Sequence, residues 1–158
     1  MIKKILKIIL LVLVVGFIAV QFFNRPDKST TSEVTPAHIT KVMTVPANVE
    51  SILKRSCYDC HSNHTAWPWY SSVAPVSWLV AEDVEHGRKK MNFSEWTKLS
   101  EAKREARLNE ICEEIKSDEM PMPKYLLMHS DAKLSQADKD ILCKWVETEL
   151  QKLEDKPE

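Results

Sequence analysis

Glycine is almost missing from this chain: two residues in 158, Gly16 and Gly87. That scarcity excludes a glycine-rich loop of the kind that cradles phosphate, and no internal repeat accompanies it. Strand-like alternation long enough to build a sheet is absent too. Charge of one sign is equally scarce, since 22 Lys and Arg stand against 23 Asp and Glu for a formal charge of -1. A nucleic-acid surface, which needs a concentrated basic face, is therefore not expected. The first 23 residues hold no cysteine to accept lipid. They also lack a good small-x-small cleavage site, because Phe17 stands two positions before Ala19. A chain this long accommodates one domain of ordinary size and no second core.

What the N-terminus does contain is Lys3, Lys4 and Lys7, then an uninterrupted apolar run from Ile8 to Val20, with Phe22 and Phe23 after Gln21. If Lys7 snorkels, Ile5 to Phe23 makes about 28 Å of helix, close to the hydrocarbon thickness of a bilayer. Residues 1–23 thus read as an uncleaved signal anchor, a single transmembrane helix, with a cleaved signal peptide as the competing reading. The positive-inside rule would leave the lysines in the cytoplasm and put everything after Phe23 on the periplasmic or extracytoplasmic side. Residues 24–44 are polar and without apolar period, so a flexible tether with a span of about 25 Å is expected, and His38 near its end should be solvated. Residues 45–154 form the expected domain.

That domain reads as all-helical. Its first helix is expected to start at Pro46, with Thr44 capping nearby and a stripe of Val49, Ile52 and Leu53. A second, Pro75 to Glu85, carries Val76, Leu79, Val80 and Val84 and should stop at Gly87. A third over Glu101 to Ser117 presents Leu108, Ile111, Cys112 and Ile115 at i, i+3, i+4 and i+7. The last begins at Ser135, with Asp138 three residues on as an acidic capping box, and should pack against the first.

Between the first two helices stands Cys57-Tyr58-Asp59-Cys60-His61. In such a C-x-x-C-H the two thiols add across the vinyl groups of haem, and the adjacent histidine binds iron from the proximal side. From this composition, chance would supply the pattern about 0.003 times in the chain. A thioredoxin-type dithiol pair normally follows a strand in a βαβ unit, and none is present here. Zinc on Cys57, Cys60, His61 and His64 would crowd four ligands into eight residues, with no second loop to close the site. One covalently attached haem c is the reading these residues favour. Export agrees with it, since c-type haem is attached beyond the cytoplasmic membrane.

A distal iron ligand is offered by Met120-Pro121-Met122-Pro123, where the prolines hold the segment extended so that a thioether can face iron. Met120 is the first choice and Met122 the runner-up; His64, His86 and His129 are the alternatives, with His64 too near His61 to reach the opposite haem face. Trp67, Trp69, Tyr70, Trp78 and Trp96 concentrate aromatic surface after the motif, suited either to a haem wall or to ordinary core packing. Cys112 and Cys143 are either a disulfide, worth about 3 kcal/mol for the loop it would close, or two buried thiols.

Beyond the five-residue motif, the chain resembles the haem-binding domain family of bacterial membrane-attached mono-haem cytochromes. The likeness runs through Val45-Pro46-Ala47-Asn48-Val49, Ser56 to Asn63, Thr65-Ala66-Trp67-Pro68-Trp69-Tyr70, Pro75-Val76-Ser77-Trp78 and Asn92-Phe93-Ser94-Glu95-Trp96. It closes on Glu119-Met120-Pro121, Tyr125, His129, Ala132 and Leu134-Ser135. The resemblance implies a small cytochrome c-like helical fold. The family reads Met-Pro-Pro where this chain has Met120-Pro121-Met122, so both sulfurs stay open as ligands.

The expected function is haem binding with single-electron transfer at the outer face of the cytoplasmic membrane, the iron held by His61 and Met120. An electron carrier is favoured over a catalyst, because six-coordinate iron leaves no position for substrate. Partners would be membrane-associated redox proteins. A haem sensor or peroxidase-like enzyme with a displaceable distal ligand is the alternative, and a dithiol redox protein the second.

Overall fold

A computed structural model gives the structure of residues 1–155. Every regular element among them is helical: α1 Ile2–Val20, α2 Ile39–Val42, α3 Ala47–Ser56, α4 Tyr58–His61, α5 Val76–Lys90, α6 Glu101–Lys116, α7 Pro123–Leu126 and α8 Gln136–Glu154. Short 3-10 turns at Trp69–Ser72, Phe93–Lys98 and Ser130–Ala132 link them. The core is where α6 packs on α8 and α3 spans from α8 to α4, filled by Val49, Leu53, Leu108, Leu142 and Trp145. The expected contact of the first and last domain helices is thus present, reinforced by Trp145 Nε1, which donates to the Thr44 carbonyl at 3.0 Å. Thr44 contributes that carbonyl rather than a cap; Pro46 takes the N-cap position of α3, with no side-chain hydrogen bond.

The stripes of α3, α6 and α8 are buried as their spacing requires. The capping box at Ser135 is complete: its hydroxyl accepts from the Asp138 amide and the Asp138 carboxylate accepts from the Ser135 amide. Cys112 of α6 and Cys143 of α8 form a disulfide with their Cα atoms 5.2 Å apart.

Three expectations are corrected. No helix among the described residues is long and apolar enough to cross a membrane. α1 is 19 residues long, but Lys3, Lys4 and Lys7 occupy its first turns, so the apolar part from Ile8 is about 20 Å, short of the ~30 Å hydrocarbon core. It ends at Val20 rather than Phe23, where Gln21 clasps Ala74: Nε2 donates to its carbonyl at 3.2 Å and Oε1 accepts from its amide at 2.9 Å.

The second correction concerns the tether. Segment 24–38 lies along the domain: the Thr31 amide donates to the Asn63 carbonyl at 2.9 Å, Lys28 reaches Ser71 and Ser72, Arg88 donates to the Ser29 carbonyl, and Trp78 Nε1 donates to that of Asn24. Ile39 is fully buried and His38 is only 2% exposed, so the core begins ahead of residue 45. Ile39, Val42 and Met43 have helical spacing, but α2 is only four residues long, too short a run to announce this docking in pattern. Third, α5 continues through Gly87 to Lys90. Gly87 serves close approach instead of termination: a Cβ there would sit 2.5 Å from the Cys60 carbonyl oxygen.

Candidate functional site

α4 is one turn of helix, and both spacer residues of its motif have structural work. Tyr58 is buried against Phe93 and His38. Asp59 faces the other way, accepting from the Ala66 amide at 2.9 Å and from Tyr125 Oη at 2.8 Å. The second bond joins the motif to α7 and hence to the Met120–Pro123 segment. Arg88 of α5 donates to the Ser62 carbonyl, fixing the turn that follows.

His61 is oriented through its back nitrogen: Nδ1 donates to the Met91 carbonyl at 3.1 Å, which leaves Nε2 as the lone pair. Burial holds the imidazole pKa below its ordinary value, against the upward pull of the Met91 and Gly87 carbonyls, so the ring is neutral and suited to ligate a metal. Cys57 and Cys60 are free thiols. Burial pushes Cys57 up to about 12 and Cys60 up to about 11, with Cys60 adding to the rise of Cys57 and the Asp59 carboxylate to that of Cys60. Redox-active C-x-x-C pairs have a depressed thiol instead.

Met120 arrives from the far end of α6. Asp118 takes a left-handed φ of 61°, and the amides of Glu119 and Met120 both return to the Glu114 carbonyl at 3.1 Å. The chain therefore folds back over the end of its own helix. Pro123, expected to extend the segment, opens α7 at its first position.

These pieces meet. A cavity of about 230 Å³ is lined by Cys57, Cys60, His61 and Met120 together, with Met122 and His86 also on its wall. A second of about 120 Å³ shares Cys57, His61 and Met120 with the first but not Met122. A third, of about 390 Å³, meets the first at Cys60 and Tyr125 and is walled by Trp69, Tyr70, Leu79 and Val80. Adjoining apolar cavities of this size suit a cofactor, whose sites run to roughly 300–1,000 Å³. The α5 stripe divides accordingly: Val84 is core, whereas Val76 and Leu79 are exposed on that third wall, 41% and 57%.

The remaining candidates lie elsewhere. His129 accepts from or donates to Tyr70 Oη at 2.7 Å and stacks on Tyr125. His64 Nδ1 donates to the Thr31 carbonyl at 2.6 Å and its ring faces His38. Trp96 is stacked on Phe93 in the core, and Trp67 lies under Lys28. Sequence reasoning had no means to find the Met91 carbonyl, a backbone group, nor Gly87 as a spacer.

A half-buried helical turn carrying two thiols and an oriented imidazole, with a methionine lining the same apolar cleft, defines the class as a cofactor-binding helical domain. The model of the family described as haem-binding domain matches residues 15–148, and the chain belongs to that family. The matched range begins inside α1, consistent with segment 24–38 being part of the folded unit. Haem is thus the cofactor, and the neutral imidazole, paired thiols and apolar walls fit it. The same comparisons find no match among curated proteins and none among solved structures.

Proposed function

We propose that the chain is a c-type cytochrome carrying one haem through thioether bonds at Cys57 and Cys60, with His61 as proximal and Met120 as distal iron ligand, and that it relays single electrons. The observation that carries this reading is the common cavity of those four side chains. Bound there, haem supplies a one-electron iron couple, which a histidine and thioether pair poises toward the reduced state. The protein's own part is to hold the imidazole by the Met91 carbonyl, to keep water from the cleft with the Trp69, Leu79 and Val80 wall, and to fix the Met120 segment through Tyr125 and Asp59. Met120 is favoured over Met122 because it shares both His61-lined cavities. The raised thiols count against the dithiol reading.

The proposal includes a site of action outside the cytoplasm, supported by the Cys112–Cys143 disulfide, since such bonds persist in oxidising compartments. It also has α1, apolar and with no buried side chain, keep the domain near membrane-associated redox partners. Expression of the full chain with cytochrome c maturation machinery tests it. The denatured polypeptide should retain one haem in its mass, and the oxidised form should show the weak thioether-to-iron absorption band. A colourless chain of unmodified mass would refute the proposal; prompt carbon monoxide binding to the ferrous form would favour a sensor or peroxidase-like role instead.

A further inference from the structure

Two cationic side chains on the cavity walls have no task in the ligation just described. Lys90, at the end of α5, lines both the 230 and the 120 Å³ cavities, and Arg107 of α6 lines the second. Both turn to one carboxylate: Lys90 Nζ lies 3.3 Å from Glu110 Oε1, and Arg107 Nη1 pairs with Glu110 Oε2. Burial alone would raise the Glu110 carboxyl, yet the two cations hold it below its ordinary range. A carboxylate therefore already rests between helices α5 and α6 at the cavity wall. The guanidinium has five N–H donors and the ammonium three, so Glu110 leaves donors of both for a second carboxylate.

Haem brings two propionate carboxylates that must be paired or solvated. The other cation on the cavity walls is already engaged: Lys124 Nζ is 2.8 Å from Asp83, and the same wall also carries the Asp59 carboxylate, two acidic groups to one charge. The 120 Å³ wall carries two carboxylates, Glu110 and Glu114, but also two cations, so the Lys90 and Arg107 pair is the place where a further anion finds most donors. We propose that Lys90 and Arg107 hold the haem propionates, tying α5 to α6 across the cofactor. This rests on the haem reading above and extends it to residues outside the ligand set. It also gives Arg107, 24% exposed in its side chain, a reason to be half-buried beside an apolar cleft.

The test uses the full chain matured with haem labelled with ¹³C at the propionate carboxyls, followed by infrared difference spectra between oxidised and reduced forms. In Lys90→Gln and Arg107→Gln the labelled carboxylate stretch should shift and the reduction potential should fall, with Arg107→Lys intermediate. Lys89→Gln removes a cation paired with Glu85 outside the cavities and should leave the labelled band in place. Lys90, 58% exposed in its side chain, carries the test if Arg107→Gln fails to mature. Labelled bands coinciding with wild type in the Gln variants would overturn the assignment. A wild-type chain that carries no haem would instead overturn the functional reading and this one with it.

Discussion

Gly87 shows how one hydrogen in place of a methyl group sets a site. Its Cα faces the Cys60 backbone so closely that an added Cβ would come within 2.5 Å of the carbonyl oxygen and 3.1 Å of Cys60 Cβ. The obstructing atoms are largely backbone, so they cannot swing away. Gly87→Ala is expected to displace Cys60 and destabilise the fold by about 1–3 kcal/mol. Thermal unfolding and the haem-loaded fraction by mass should both fall. The methionines separate just as clearly: Met120→Ala should abolish the thioether-to-iron band, and Met122→Ala should retain it. Tyr125→Phe removes one hydrogen bond from the Asp59 carboxylate, at a cost of about 1–3 kcal/mol. Because that bond ties α7 to α4, carbon monoxide binding by the ferrous variant should speed up as the Met120 segment loosens.

Helix α8 begins where chemistry, not packing, dictates. Ser135 and Asp138 satisfy each other's amides, and the Asp138 carboxylate also meets Arg55 of α3 at 3.1 Å. Ser135→Ala should cost about 1 kcal/mol in urea unfolding, as cap removals do. The Ser135 amide, with its hydroxyl and Arg55 in support, holds the Asp138 carboxyl below its ordinary 3.8. A group with a depressed folded value stabilises fully above its unfolded value, and that stabilisation fades as pH falls through the folded one. Urea midpoints should therefore drop between about pH 5 and pH 2, and Asp138→Asn should flatten part of that fall. Helix α6 ends by a different device, the left-handed Asp118, and that reversal is what delivers Met120 to the cleft.

Helices α6 and α8 pack along each other in the C-terminal part of the chain, and their disulfide closes a separation of 31 residues. In the loop-entropy account such a bridge stabilises by about 3–4 kcal/mol. Replacing Cys112 and Cys143 together by Ser should lower the unfolding free energy by that order, and a free-thiol assay of the native chain should find none outside Cys57 and Cys60. The cofactor cleft lies between α4, α5 and the Met120 segment, and Ile111 and Ile115 of the α6 stripe form part of its wall. The cross-linked core and the apolar cleft thus adjoin, sharing Phe93, Ile111 and Ile115. Fractionation of cells expressing the full chain tests its whereabouts: recovery in the membrane fraction, accessible from outside the cytoplasm, is expected, and a cytoplasmic pool would sink that part of the proposal.

Local rules sufficed for whatever depends on near neighbours in the chain. The stripes of α3, α6 and α8, the Ser135 cap and the C-x-x-C-H turn all follow from spacings of three or four residues, and all are legible in the residues themselves. Contacts between distant segments were not, because a burial partner far along the chain leaves no periodic trace. Ile39 and His38 sink into the core from a segment whose apolar pattern is a single short turn, and Val76 and Leu79 have a core-like pattern yet stand exposed beside a cleft. Gly87 reads as a helix stop until the Cys60 backbone is seen against it. The cysteines, the histidine and the methionine could be nominated from sequence; that they share a cavity, with His61 turned by a carbonyl from Met91, is a property of chain segments brought together only by folding.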